Sequence, residues 1–132
     1  MAEVLIWQTD GYFNSIVTAL FVAAQFKGVG VDVAVVFDEA ATAALAEKKF
    51  EFCPALAKYA TTINENLKKT GLPTDVMDYL KQAKSTGIPL YVSGGWCDLL
   101  GVREKLPPEV QVMERPDVIK TLAGAERIIG GP

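Results

Sequence analysis

The chain has 132 residues, half of them hydrophobic and 22% charged, which suits one domain with a sizeable core and argues against global disorder. It has no histidine and only two cysteines, Cys53 and Cys97; imidazole catalysis, His-ligated metals, a four-thiolate zinc site and an intrachain iron–sulfur cluster are excluded. Thirteen basic and 16 acidic residues give a net charge of −3 with no basic cluster, which disfavours nucleic acid as a partner.

Residues 3–8 read as a buried strand ending in the turn signal Thr9-Asp10-Gly11. Asn14 or Ser15 can cap the next helix, whose residues 16–27 are apolar almost all round, so burial on more than one side is expected. Gly28 and Gly30 stop it. Residues 31–37 form a second, β-branched strand, and Asp38-Glu39 opens an alanine-rich helix to about Lys49. Pro54 suits a first helical position; Leu56, Tyr59, Ala60, Ile63 and Leu67 then follow helical spacing up to Gly71. Thr74 can cap a further amphipathic helix with Val76, Met77, Leu80 and Ala83 inward, closed by Gly87. Residues 88–93 are a third strand, with Pro89 placed where its missing N–H is tolerated. A loop over residues 94–97 then leads into a helical turn around residues 98–105. Residues 110–114 are a fourth strand, 116–123 a helix and 127–129 a short last strand.

Strands that alternate with helical crossovers predict an α/β fold, a three-layer α/β/α sandwich with a mainly parallel sheet of about five strands, as one domain over residues 1–132. Met1-Ala2-Glu3 carries no positive charge and precedes only four apolar residues, so no signal peptide is expected. No apolar stretch is long enough to span a bilayer, and two cysteines make no disulfide framework. A cytoplasmic setting without membrane attachment is the expectation.

Sites in open parallel sheets lie beyond the carboxyl ends of the strands. There the sequence places Thr9-Asp10-Gly11-Tyr12, Asp38, Gly94-Gly95-Trp96-Cys97-Asp98 and Glu114-Arg115. Cys97 is the only strong nucleophile among them. Gly94 and Gly95 leave N–H groups free to face an anion, and a helix starting after Cys97 would favour its thiolate. Arg115 could add positive charge and Trp96 one wall of a pocket, whereas Asp98 opposes a thiolate. The competing reading is a buried, inert Cys97, since free cysteine is among the most buried residue types. Cys53, between Phe52 and Pro54, reads as packing, and Asp10 as a cap or a ligand contact. No dinucleotide or P-loop motif is present, no metal site is expected and no cofactor is implied.

The stretch Gly87-Ile88-Pro89-Leu90-Tyr91-Val92-Ser93-Gly94-Gly95-Trp96-Cys97-Asp98-Leu99-Leu100-Gly101-Val102 resembles the DsrE/DsrF-like proteins, in which a G-(I/V)-x-(I/V)-Y-V-C strand runs into a cysteine-bearing loop. Ala125-Glu126-Arg127-Ile128-Ile129 is similar to that family's closing strand, and the likeness extends over nearly the whole chain. It differs from the family at Ser93 to Trp96, where many members have a further cysteine or small residues, and at Leu100, where arginine is frequent. The resemblance implies a five-stranded α/β sandwich assembled as a homodimer, homotrimer or hexamer. It also implies a cysteine at the position of Cys97 that carries persulfide sulfur between donor and acceptor proteins, with no metal or cofactor. Two functions therefore stand: a sulfur carrier working through Cys97, or a non-catalytic protein whose loops around Asp10, Trp96 and Arg115 hold a small ligand or a partner.

Overall fold

The computed structural model describes residues 2–130. Met1, on which the leader reading drew, and Gly131-Pro132, the end of the expected domain, lie outside them. Five strands alternate with helices: β1 (Val4–Gln8), α1 (Phe13–Gly28), β2 (Val33–Phe37), α2 (Ala40–Glu47), α3 (Ala60–Lys69), α4 (Val76–Ser85), β3 (Leu90–Ser93), α5 (Gly94–Leu100), β4 (Gln111–Met113), α6 (Arg115–Gly124) and β5 (Arg127–Gly130). Short 3-10 turns cover Ala57–Tyr59 and Arg103–Lys105. All pairings are parallel and the order is β4-β3-β2-β1-β5. The α/β sandwich expected from the alternation is what the chain adopts.

The layers follow from handedness. Three steps from β1 to β4 run in one direction, and right-handed crossovers put their helices on one face; the return from β4 to β5 puts α6 on the other. Side-chain parity agrees. Val4, Ile6, Val33, Val35, Phe37, Leu90 and Val92 join the main core with α1 and α4. Leu5, Ala34 and Val36 face the opposite way and meet Leu122 and Ala125 of α6 and its C-terminal end. One outer layer is thus a group of helices and the other a single helix. Edge strand β5 is exposed along its length, with Ile128 at 46% and Ile129 at 39% of their free surface.

Several local expectations are corrected. Neither Asn14 nor Ser15 caps α1: its N-cap is Tyr12, and the Asn14 Oδ1 accepts from the Cys53 N–H at 2.9 Å. Asp10 is no cap either; its Oδ1 accepts from the Tyr12 N–H at 3.0 Å, closing the turn ahead of the helix. Asp75, not Thr74, caps α4 by accepting from the Met77 N–H at 2.9 Å, and Tyr79 rather than Met77 joins Val76, Leu80 and Ala83 on the buried face. Pro89 precedes β3, and its carbonyl accepts from the Val35 N–H at 3.0 Å, so its missing donor costs the ladder nothing. Gly11 packs so closely on α2 that a Cβ there would lie 2.7 Å from both the Ala40 carbonyl oxygen and the Ala44 Cβ.

Candidate functional site

The expected gathering at one sheet edge occurs, with a different local form. No loop separates β3 from its helix: α5 begins at Gly94, directly after Ser93, so Cys97 lies one turn inside a seven-residue helix and not ahead of one. Gly94 and Cys97, three residues apart, share the inward face of α5. Gly95, Trp96, Asp98 and Leu99 look outward. The Cys97 sulfur belongs to the main core and the residue is 0% exposed. Burial pushes its thiol above the ordinary range; the Arg103 guanidinium opposes this, while Asp98, Glu114 and Asp38 add to it. The free helix N–H groups and dipole expected to favour a thiolate belong to the first turn, which Cys97 has left behind.

Arg103 is the residue the sequence reading missed. Its Nε and Nη2 grip Asp98 at 2.7 and 3.0 Å, and Nη2 also reaches the Glu114 Oε1 at 2.6 Å. One guanidinium thereby ties α5 to the end of β4 across the β3–β4 connection. It holds the Asp98 carboxyl below the usual carboxylate range and is itself held protonated more firmly than a free arginine. Gly94 sits beneath this clasp: a Cβ there would run into the Glu114 carboxylate and lie 3.1 Å from the Arg103 Nη2. The weak signal in the sequence was the Asp98–Arg103 spacing across the turn at Gly101, which no helical periodicity singles out.

Arg115, the first residue of α6, lies on the far side of the edge. It lines a cavity of about 460 Å³ with Asp38, Ser93, Gly95, Trp96, Asp98 and Leu99. This volume opens over the carboxyl ends of β2, β3 and β4. Asp38 is 8% exposed; its Oδ2 accepts from the Trp7 Nε1 at 3.2 Å and its Oδ1 from the Glu39 N–H at 3.0 Å. Glu39 has φ +48° and ψ −124°, a conformation costly for a residue with a side chain, at the very end of β2. Asp10 does not reach this cavity. It shares a neighbouring cleft with Trp96 and Glu39, and a groove of about 470 Å³ between β1, α1 and β5. Trp96 is therefore the link between the two parts of the edge. Cys53 is half-buried beside the Phe13–Phe52 ring contact, whose centroids are 4.8 Å apart.

Among the described residues no group of three acidic or thiol side chains is placed to hold a metal, and no helix is long and apolar enough to cross a membrane. No family model matches the chain, and no curated protein does. Among solved structures it is similar to the ychN protein of E. coli, with a TM-score of 0.66 at 13% identity, covering 98% of both chains. At that identity the likeness speaks for the fold alone, an α/β arrangement of helices around a five-stranded parallel sheet.

Proposed function

We propose that the chain is a small-ligand-binding protein that holds its ligand over the carboxyl ends of β2, β3 and β4, with no covalent step at Cys97. The observation behind this reading is the division across α5, whose only nucleophile points into the core while Gly95, Trp96 and Leu99 face a cavity with Asp38, Ser93 and Arg115. In that cavity Arg115 offers the ligand a guanidinium, Trp96 an apolar wall and Gly95 a backbone that can be closely approached. Gly94 serves by letting Arg103 and Glu114 close behind α5. Asp10 lines the adjoining cleft, where a larger ligand would extend past Trp96. A mixed library of small anions, nucleosides, sugars and amino acids, screened by thermal shift, is expected to contain stabilising members whose effect is lost in Arg115→Ala and Trp96→Ala. A library that leaves the melting temperature unmoved overturns the reading.

The DsrE-like fold and the sequence likeness over residues 87–102 favour a second reading, sulfur relay through Cys97. The Cys97 thiolate would attack the outer sulfur of a donor persulfide; the donor's S–S bond breaks, the donor leaves as a thiol, and Cys97 carries the sulfur to an acceptor protein. Arg103 is the cation that supports the thiolate, and α5 has to lift before the donor can reach it. Incubation with a persulfide donor then adds one sulfur atom of mass to Cys53→Ser protein; a Cys53→Ser/Cys97→Ser chain that gains as much refutes it. Both readings take a single cytoplasmic domain that assembles with copies of itself, for which the exposed edge strand β5 is the available surface.

A further inference from the structure

Two opposite charges in the β2–β4 cavity have no ion-pair partner among the described residues, and they do not pair with each other. Arg115 forms no ion pair among the described residues, and Asp38 meets two N–H groups but no lysine or arginine. The third charged group there, Asp98, is already matched by Arg103. Ser93, at the end of β3, is 8% exposed and adds its hydroxyl to the lining. A buried carboxylate is costly to leave incompletely paired, and it has room for about four hydrogen bonds. The cavity volume of about 460 Å³ suits a small metabolite.

Resting on the ligand-binding reading above, we infer that this cavity binds a zwitterion of the free α-amino acid class, its ammonium on Asp38 and Ser93 and its carboxylate on Arg115. The ammonium adds donors to the two N–H groups from which Asp38 already accepts and reaches the Ser93 hydroxyl, and the carboxylate meets Arg115 as a charge-assisted pair. Trp96 and Leu99 form the apolar part of the lining, so ligands with apolar or aromatic side chains are preferred. Asp38 is held for this role by the Glu39 N–H, turned onto its Oδ1 by the strained backbone at Glu39.

The test is calorimetric titration of the intact protein with the common L-amino acids. For the best binder, the matching amine without a carboxylate and the N-acetyl amino acid without an ammonium are then titrated. Each truncated ligand is expected to bind about tenfold or more weakly, the ordinary worth of one charge-assisted contact. Arg115→Gln, an exposed change that leaves the fold intact, is expected to weaken the amino acid by a similar factor and leave the amine unaffected. Asp38→Asn is expected to weaken the amino acid and the amine and leave the N-acetyl form unaffected. The inference fails if no amino acid binds up to millimolar concentration, if the amine or the N-acetyl form binds as well as the parent, or if Arg115→Gln changes nothing. An amino acid panel that fails while other library members bind at Arg115 removes the zwitterion and keeps the ligand-binding reading.

Discussion

The sharpest quantitative consequence of the fold concerns the two thiols. Alkylation of Cys97 requires α5 to lift from the core. That motion exposes the Cys97 side chain, whose burial is worth about 1.5 kcal/mol by comparison with small aliphatic side chains. It also breaks the solvent-exposed Arg103 contacts to Asp98 and Glu114, which solvent screening keeps a minor addition. An opening free energy of about 1.5 kcal/mol leaves the reactive form at about 1 part in 13, so Cys97 reacts about tenfold more slowly than an open thiol. The raised pKa of the buried thiol lowers the rate further. Cys53, half-buried, has no such step. Timed iodoacetamide labelling at neutral pH, quenched and read by peptide mass, gives both rates in one sample, and labelling in guanidinium provides the reference in which they converge. Native rates within threefold of each other would refute the burial argument and return Cys97 to the list of accessible nucleophiles.

Three further outcomes can be measured. Because burial raises the Cys97 thiol above its unfolded value, the stability it contributes is complete below about pH 8.5 and is lost as pH rises through the folded value. The urea midpoint should therefore fall at alkaline pH, and less steeply in Cys97→Ala, with buried Tyr79 adding a decline of the same sign. Asp98 behaves oppositely: its lowered pKa contributes stability above the unfolded value near pH 4 that is lost on acidification, so Asp98→Asn should flatten the acid limb of the same profile. Gly11→Ala forces a methyl into the α2 backbone and should cost about 2 kcal/mol, or about 7 °C in Tm, whereas Gly28→Ala, with open space around its Cβ, should gain about 0.5 kcal/mol. Equal melting temperatures for the two glycine variants would contradict the close packing at Gly11.

What could be read from the sequence was whatever depends on local pattern. The β-branched run at residues 31–37, the strand pattern of residues 88–93, the helical spacing of residues 76–83 and the glycines at 28, 71 and 87 are short-range signals, and they place the elements to within a few residues. Parallel connectivity then puts Asp10, Asp38, Gly95, Trp96 and Arg115 at one edge of the sheet, because crossovers bring every strand back to the same end. Caps were less legible: Asp75 and Thr74 are adjacent and chemically equivalent as caps, and only the path of the backbone chooses between them.

The direction in which Cys97 points was decided by tertiary structure alone. In Gly94-Gly95-Trp96-Cys97-Asp98-Leu99-Leu100, apolar side chains occupy both sides of a seven-residue helix, so periodicity cannot say which side meets the core. The packing of α5 against the main core turned the thiol inward and Trp96 toward the cavity. Arg103 became the clasp because β4 returns beside β3 and brings Glu114 within reach, a contact between residues 11 apart that no local rule supplies. The chain by itself therefore determined which residues share an edge. Only the packed molecule decided that its one candidate nucleophile is enclosed while Asp38, Ser93 and Arg115 line an open cavity, since burial is a property of what surrounds a side chain and not of its position along the sequence.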